Sequence, residues 1–369
     1  MPIWRNRSLS PPERKSKHWR NPQHAPDSPM PPQAFLADLR RGRRINVLRR
    51  IVQASFTLFC LYSGYRFTLF YLWASGRSET FVSRPPSVEA FLPIGALVNL
   101  KRLLLTGQFD PIHPAGLTIF MAALLIALTL RKGFCGWICP VGFASNLAEA
   151  AGRKLKLLLT PPAWLDRLLL APKYLLLLFF CYLILLRMDL AAIETFNSTT
   201  YNLVVDAKML YFFLAPSTLT LWILIALAVL SFFLRNFWCR TLCPYGALLG
   251  LLALASPLRV RREEKNCISC SKCDRVCPGA IRVSVKASVL SPECIGCGEC
   301  VSICPAKECL TLNAPGRRKL PLPALPAAVL TFFFLFYGWA LFTGHWHSQV
   351  PLEVLQKAYA TDLETLQHP

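Results

Sequence analysis

Five long apolar stretches constrain the fold of this chain more than any other feature. They cover residues 51–73, 115–130, 174–186, 218–234 and 320–342. A helix needs about 20 apolar residues to cross the hydrocarbon core of a bilayer, within a range of about 17–25. The sequence therefore predicts an α-helical integral membrane protein with about five transmembrane helices.

The third stretch is short for a membrane span. It reaches the necessary length if it begins near Leu168, which places Pro172 and Lys173 inside the helix. Otherwise Lys173 and Arg187 must extend their charged ends toward the headgroups on either side. The boundaries of this helix therefore stay open in the sequence.

Basic residues are distributed unevenly along the chain. There are 41 Lys+Arg against 20 Asp+Glu, a formal net charge of +21. With the N-terminus in the cytoplasm, the segments 1–50, 131–173 and 235–319 are cytoplasmic and carry 33 of these basic residues, whereas the segments on the other side carry 7. Because Lys and Arg favour cytoplasmic loops, we expect a multi-pass protein of the bacterial inner membrane, in contact with lipid. No nucleic-acid-binding motif accompanies the charge, so we expect no nucleic-acid partner.

Composition divides the chain into four segments. Residues 1–50 are basic, rich in proline and without the apolar part of a cleavable signal peptide, so we expect a mostly disordered cytoplasmic tail. Residues 51–258 form the predicted four-helix membrane core, and residues 259–318 form a cytoplasmic domain rich in cysteine. Residues 319–369 are predicted to form the fifth transmembrane helix and a short extracytoplasmic tail.

Eight of the 15 cysteines follow a duplicated pattern in the cytoplasmic domain. The chain reads C-I-S-C-S-K-C-D-R-V-C-P from Cys267 and C-I-G-C-G-E-C-V-S-I-C-P from Cys294, so each half is C-x2-C-x2-C-x3-C-P. This spacing is typical of bacterial ferredoxins with two [4Fe-4S] clusters. Zinc also accepts four thiolates, but zinc motifs pair two C-x2-C units across a longer gap. The pattern therefore predicts two [4Fe-4S] clusters in a small α+β ferredoxin domain.

The fourth cysteine of each half is expected to reach the cluster that the other half holds. The predicted ligands of cluster 1 are Cys267, Cys270, Cys273 and Cys304, and those of cluster 2 are Cys294, Cys297, Cys300 and Cys277. Both sets lie in a segment predicted to be cytoplasmic, where thiols stay reduced. Cys309 lies outside the pattern and is expected to be a free thiol.

Two further cysteine pairs share a C-x3-C-P motif. Cys135 and Cys139 follow the second apolar stretch, and Cys239 and Cys243 follow the fourth. Residues four apart share one face of a helix, so each pair is expected to point two sulfurs at one place. Since the flanking residues also repeat, we expect an internal two-helix repeat in parallel orientation that brings the four thiols together. These thiols form either a further metal or redox site or reduced cysteines that pack helix ends.

These motifs resemble those of the NapH/NosR/CcoG class of membrane-bound polyferredoxins. The resemblance covers roughly residues 51–345. It rests on G-Y-R-F at residues 64–67, F-C-G-W-I-C-P-V-G at 134–142, F-W-C-R-T-L-C-P-Y-G-A at 237–247 and the ferredoxin run. We expect neither the N-terminal domain that holds covalent flavin in the NosR type nor the long C-terminal extracytoplasmic domain of the CcoG type. The expected arrangement is a NapH-like core with a basic tail.

The resemblance implies electron transfer between a quinone pool or a cytosolic donor and a partner redox protein, in the manner of a quinol dehydrogenase subunit. The chain would then be the electron-transfer component of an oxidoreductase system. Two other functions stay open. Soft thiolates suit Cu(I), so the paired cysteines could serve a metal reductase, for example of copper. The clusters could also report oxidation in a redox sensor or assembly factor.

A few titratable residues outside the cysteine motifs are candidates for contact with a quinone. Arg66 lies inside the first apolar stretch, where a charge is by default a functional candidate, although it is also near enough to the end of the stretch to reach the headgroups. Glu89, Asp110 and His113 lie in the loop predicted to be extracytoplasmic. Quinol oxidation releases protons, and carboxylates and histidine can accept them.

Overall fold

The computed structural model describes residues 44–361. The predicted basic tail therefore lies mostly outside the described residues. Its last part is helical, since the first helix begins at Ile45 and ends at Ala74. The helix thus starts before residue 51, where the apolar stretch was predicted to begin.

Helices make up most of the described chain. In chain order they are α1 (Ile45–Ala74), α2 (Pro93–Thr106), α3 (Pro114–Leu130), α4 (Gly133–Trp137), α5 (Pro140–Lys154), α6 (Ala163–Leu169), α7 (Ala171–Cys181), α8 (Leu190–Ser198), α9 (Thr200–Leu203), α10 (Val205–Leu214), α11 (Thr218–Phe233), α12 (Pro244–Leu252), α13 (Lys272–Val276), α14 (Glu299–Ser302), α15 (Ala324–Phe342) and α16 (Leu352–Tyr359). Short 3-10 turns cover Pro86–Phe91, Glu264–Asn266, Val283–Val285 and Pro315–Arg317, and π-helical turns cover Tyr182–Arg187 and Trp238–Leu242.

A small antiparallel sheet frames the cysteine-rich segment. Its strands are β1 (Arg259–Arg262), β2 (Leu310–Asn313) and β3 (Lys319–Leu320), in that spatial order. Arg259 lies opposite Asn313, and Leu312 lies opposite Leu320. Because β1 precedes the eight-cysteine run and β2 follows it, their pairing brings the two ends of the run together.

Within residues 44–361, two helical stretches have the length and apolar composition to cross a bilayer, Ala163–Arg187 and Ala324–Phe342. Counting α10 and α11 as one broken span, despite the 75° bend between them, gives a third. Helix α3 is apolar but shorter, with 17 residues. Helix α1 is long enough, but polar residues such as Gln53 and Arg66 lower its hydropathy. The five-helix arrangement therefore stays a prediction.

The third apolar stretch takes the longer of its two possible forms. The helical stretch Ala163–Arg187 has 25 residues. Pro172 falls in the first turn of α7, where its missing N–H would have no helical partner in any case. Lys173 does not reach toward the headgroups, because it is fully buried and its Nζ pairs with Oε1 of Glu293 at 2.5 Å.

The helices on either side of the two C-x3-C-P motifs pack in a reciprocal pattern. Helix α5 follows the first motif and packs against α1 and α11, whereas α12 follows the second motif and packs against α7 and α3. Each helix after a motif thus contacts the helix before the other motif. This exchange brings the two motifs to one place.

One hydrophobic core runs from these helices into the sheet. It includes Ile126 of α3, Leu249 of α12, Val260 of β1 and Leu312 of β2. All four side chains are buried. The cysteine-rich domain is therefore packed on the helices and does not hang from them on a linker.

Candidate metal centres

The first cavity lies where the cysteine-rich domain meets the helices. Its thiols are those of Cys277, Cys294, Cys297 and Cys300. Arg131, directly after α3, also lines it. The Arg131 guanidinium donates to the main-chain oxygens of Ala253 at 2.9 Å and Ser291 at 2.7 Å. This buried arginine fixes the loop before Cys294 against the end of α12.

The second cavity gathers the other predicted ligands. It is lined by the thiols of Cys267, Cys270, Cys273, Cys304 and Cys309. Helices α13 and α14, which carry the third cysteine of each half, pack against each other. The chain becomes extended at Cys277 directly after α13, and this carries the fourth cysteine of that half across to the first cavity.

The spacing of these thiols bears on which group they suit. Among residues 44–361, no three cysteine, histidine or carboxylate side chains lie close enough together to hold one metal ion. Thiolates around a zinc ion would lie about 3.8 Å apart, given a Zn–S distance of about 2.3 Å. Four thiols spread around a cavity fit a larger group, and four cysteines are the ligand set of a [4Fe-4S] cluster.

The C-x3-C-P segments do not form the single helical face that their spacing predicted. Helix α4 ends at Trp137, and Cys139 is extended, with φ −63° and ψ 121°, as the N-cap of α5. The second segment repeats this, since a π-helical turn ends at Leu242 and Cys243 is extended before α12. The prediction was wrong because a proline follows each second cysteine. Proline disfavours helical geometry in the residue before it and begins the next helix.

The four thiols of the two motifs nevertheless lie near one another. Cys135 interacts electrostatically with Cys139, Cys239 and Cys243, and the last three also interact among themselves. Burial raises the pKa of Cys139 to about 11 and that of Cys239 to about 12. Both are therefore protonated thiols at pH 7 unless a metal displaces the proton.

The first motif touches the loop of the first cavity directly. Trp137 donates its indole N–H to the main-chain oxygen of Gly296 at 3.1 Å. Gly136 packs so closely on Ile295 that an added Cβ would lie 2.3 Å from its main-chain oxygen. The motif and the loop that carries Cys294 are therefore in van der Waals contact.

Arg49 of α1 joins the same two parts of the molecule. Its Nε donates to the main-chain oxygen of Gly136 at 3.1 Å, and its Nη1 pairs with Oε1 of Glu299 at 2.6 Å. Glu299 begins α14, between two cysteines of the first cavity. The spacing of residues in the sequence did not predict this contact, because the partners lie far apart in the sequence.

A buried charged network lies at the opposite end of α1. Arg84 pairs with Glu89 at 2.9 Å and with Asp206 at 2.7 Å, and its Nη2 lies 3.1 Å from Nδ1 of His113. The hydroxyl of Tyr359 donates to Asp206 at 2.6 Å. The structure thus brings the predicted Glu89 and His113 together, with three partners that the sequence analysis missed.

Asp110 and Arg66, the other predicted residues, lie close to this network. The network is at the end of α1 that is far from the thiols. Asp110 accepts hydrogen bonds from the main-chain N–H groups of Ile112 and His113, and burial raises its pKa. Arg66 donates to the Ser83 hydroxyl at 3.3 Å. A role for these residues in quinone or proton chemistry stays a prediction.

Two family models match this chain, one for each kind of cysteine motif. A family model described as a 4Fe-4S binding domain matches residues 112–157 and 214–265, which contain the two C-x3-C-P motifs. A second model, described as a 4Fe-4S dicluster domain, matches residues 259–305. No solved structure matches the chain.

Relatives among curated sequences decide the family. The chain is 38% identical over 301 residues to the "Putative electron transport protein YccM" of Escherichia coli, which covers 78% of this chain and 84% of the relative. The chain belongs to the NapH/NosR class of ferredoxin-type electron transport proteins. The resemblance seen in the motifs is therefore confirmed.

Two further members of the class match over shorter regions. The methylamine utilization ferredoxin-type protein MauN of Methylorubrum extorquens is 31% identical over 53% of this chain and 65% of its own length. The ferredoxin-type protein NapH of Haemophilus influenzae is 29% identical over 45% of this chain and 55% of its own length. The chain thus spans between half and two thirds of these two relatives. Class membership and the two long apolar helices together indicate an iron–sulfur membrane protein.

Proposed function

We propose that the protein passes electrons, one at a time, between a quinone in the membrane and a redox partner protein, through two [4Fe-4S] clusters in its ferredoxin domain. Membership of a ferredoxin-type electron transport class supports the general part of this function. The quinone, the partner and the number of clusters are the specific parts of the proposal.

The contact between the first C-x3-C-P segment and the loop of the first cavity carries the proposal. The Trp137–Gly296 hydrogen bond and the close approach of Gly136 to Ile295 put the helical core in direct contact with the loop of this cavity. An electron that enters from the membrane helices would therefore reach the first cavity through packed protein.

The two sets of cysteines that line the cavities are the proposed ligands. In this proposal cluster 2 binds at Cys277, Cys294, Cys297 and Cys300, and cluster 1 binds at Cys267, Cys270, Cys273 and Cys304. When bound, such clusters supply one-electron redox chemistry. Arg49 joins Glu299, beside the first cavity, to Gly136, and Arg131 joins Ser291 to Ala253, so both arginines hold the first cavity against the helices.

The loop around the second cavity is the proposed contact for the redox partner. Ile268 lies in this loop, lines the cavity and is 50% exposed. Cys277 and Cys297 of the first cavity are buried. Electrons would thus pass from the helices to the first cavity and then to the second cavity. They would leave to the redox partner near the exposed side chain of Ile268.

We also propose five membrane helices, with the N-terminus and the ferredoxin domain on the cytoplasmic side. The uneven distribution of basic residues supports this orientation. The reciprocal packing of α5 and α12 supports an internal repeat of two helices.

A redox titration monitored by EPR tests this function. The full chain, purified without oxygen in lipid nanodiscs, is titrated while cluster spins are counted. We expect two [4Fe-4S] signals from the ferredoxin domain, with potentials within about 120 mV of the quinone couple, since 59 mV is a factor of ten for one electron. Potentials about 300 mV lower would make reduction by quinol some 10⁵-fold unfavourable and would overturn the quinone part of the proposal.

A further inference from the structure

The segment of residues 153–168, from the end of α5 into α6, carries a surface of exposed apolar side chains. Trp164 is 67% exposed, and four leucines of the segment are exposed as well, namely Leu155, Leu157, Leu159 and Leu168. An exposed apolar patch of this kind marks a surface that a membrane or another molecule covers. The proposed electron path does not pass through this segment, so its exposed surface needs a separate explanation.

The same segment is basic. It has one carboxylate, Asp166, and four exposed cations, Arg153, Lys154, Lys156 and Arg167. The carboxylate is already paired, because both of its oxygens accept from Nη2 of Arg240 at 2.9 Å. Arg153 pairs with Glu149, whereas the other three cations form no ion pair within residues 44–361. These three cations can therefore bind an anion from outside the described chain.

The first part of the segment is fixed to the end of an apolar helix. Gly152, directly before the segment, packs so closely on α11 that an added Cβ would lie 2.0 Å from the main-chain oxygen of Phe232. The main-chain N–H of Leu159 donates at 2.8 Å to the oxygen of Phe233, the last residue of α11. Within α11 only Ser231 is buried, and a helix that is apolar all round and yet exposed is expected to face lipid. Leu159 therefore lies at the depth where α11 ends.

The second part of the segment begins another apolar helical stretch. Ala163–Arg187 is long and apolar enough to cross a bilayer, and Trp164 is its second residue. Tryptophan is enriched where membrane helices reach the interface between lipid and water. The segment therefore joins the ends of two proposed membrane helices, and lipid is the molecule that surrounds such ends.

We propose that residues 153–168 lie on the cytoplasmic surface of the bilayer and bind the headgroups of anionic phospholipids. The leucines and Trp164 enter the upper acyl region, and Lys154, Lys156 and Arg167 pair with the phosphates. Segments that combine an apolar face with Lys and Arg lie in the interface in this way, and the long basic side chains keep their charged ends at the headgroups. The inference goes beyond the electron relay and rests only on two of the membrane helices proposed above.

This contact also fixes the depth of the second C-x3-C-P motif. Arg240 lies between the two cysteines of that motif, and its buried side chain holds Asp166 of the segment. Asn236, which follows α11, donates to the main-chain oxygen of Pro278 in the ferredoxin domain at 3.1 Å. The motif therefore lies next to the bilayer surface, on the side of the membrane that carries the ferredoxin domain.

Fluorine NMR of the full chain, labelled with fluorotryptophan in lipid nanodiscs, tests the depth of the segment. The W164F variant identifies the resonance of Trp164 among the 9 tryptophans of the chain. We expect a phospholipid with a spin label high on its acyl chain to broaden this resonance most. A phospholipid labelled near the terminal methyl and a water-soluble paramagnetic reagent should broaden it less. Strongest broadening by either of these two, or broadening by none of the three, would overturn the proposal.

Native mass spectrometry of the full chain, titrated with phosphatidylglycerol and separately with phosphatidylcholine, tests the headgroups. One cation at an anionic surface changes the affinity about fivefold, so K154Q/K156Q should lower the association constant for phosphatidylglycerol about 25-fold. The constant for phosphatidylcholine should stay unchanged. K265Q/K307Q is the matched control, because it removes two exposed lysines beside the lining of the second cavity, and we expect it to bind phosphatidylglycerol like wild type.

Two outcomes of the lipid titration would overturn the binding of anionic headgroups. One is the same affinity for phosphatidylglycerol in K154Q/K156Q as in wild type, and the other is an equal loss in the two double variants. Neither measurement requires electron transfer, so a negative result leaves the relay to be decided by the redox titration.

Discussion

Trp137 donates its indole N–H to the main-chain oxygen of Gly296 at 3.1 Å, across the boundary between the helical core and the ferredoxin domain. The donor lies between the two cysteines of a C-x3-C-P motif, and the acceptor lies between Cys294 and Cys297 of the first cavity. This bond joins the two kinds of cysteine motif, which are far apart in the sequence. In the proposed function, electrons that enter from the helices reach the first cavity across this junction.

Widening the junction should slow electron transfer without removing any ligand. In G136A the added methyl group would lie 2.3 Å from the oxygen of Ile295, so the loop of the first cavity must move. We expect at least a tenfold slower reduction of the ferredoxin clusters by a membrane donor, measured by freeze-quench EPR. G338A is the matched control, because a Cβ at Gly338 meets no atom within 4 Å. Equal rates in G136A and G338A would show that the contact is not on the path.

The fourth cysteine of each half should belong to the cluster of the other half. Cys277 lines the first cavity with Cys297, whereas Cys304 lines the second cavity with Cys270. We therefore expect the EPR spectrum of C277S to match that of C297S, and the spectrum of C304S to match that of C270S. A spectrum of C277S that matched C270S would contradict the crossed arrangement.

Thiol alkylation in the cluster-free chain should follow the surroundings of each thiol. A hydrogen bond from the main-chain N–H of Ser269 lowers the pKa of Cys267, whereas burial raises the pKa of Cys139 to about 11 and of Cys239 to about 12. Because the thiolate is the reactive form, iodoacetamide should label Cys267 first at pH 7. Labelling of the other two should rise steeply only above about pH 9, as mass spectrometry of the peptides would show. Equal labelling of all three at pH 7 would contradict this burial.

The buried network around Arg84 should contribute strongly to stability. Removing the guanidinium in R84Q leaves the carboxylates of Glu89 and Asp206 without their counter-charge. Breaking a buried ion pair in this way costs about 3–5 kcal/mol. We expect a clearly lower midpoint of thermal unfolding for R84Q and a small change for R66Q, whose side chain makes a single hydrogen bond to Ser83. Equal midpoints for R84Q and wild type would contradict a structural role for the network.

Local sequence patterns correctly predicted the helices that consist of one long, uniformly apolar run. The fourth apolar stretch, residues 218–234, corresponds closely to α11, Thr218–Phe233. The second stretch, residues 115–130, corresponds to α3, Pro114–Leu130. A long apolar run leaves few alternatives to a helix, so its ends can be read from composition. The third stretch was harder, because the buried partner of Lys173 lies 120 residues away, at Glu293.

The candidate sites also have a part that the sequence predicted and a part that it did not. The first three cysteines of each half line one cavity together, because residues close in the sequence stay close in space, and the fourth cysteine of each half lines the other cavity, as the ferredoxin pattern predicts. Contacts between residues far apart in the sequence were not predictable from spacing, which is why the Arg49–Glu299 pair was missed. Cys309 was expected to be a free thiol outside the pattern, and its place in the lining of the second cavity was not predicted. The two cysteines of each C-x3-C-P motif do not share one helical face for a local reason, because proline disfavours helical geometry in the cysteine before it.

In the proposed function, electrons cross between a membrane quinone and the ferredoxin clusters of this chain. The most direct test adds a lipid-soluble quinol to the oxidised full chain in nanodiscs, without oxygen, and follows the cluster EPR signals. We expect quinol to reduce both ferredoxin clusters, and we expect C277S, which lacks a ligand of cluster 2, to block the reduction of cluster 1. Clusters that quinol leaves oxidised while dithionite reduces them fully would contradict electron transfer between the quinone and this chain.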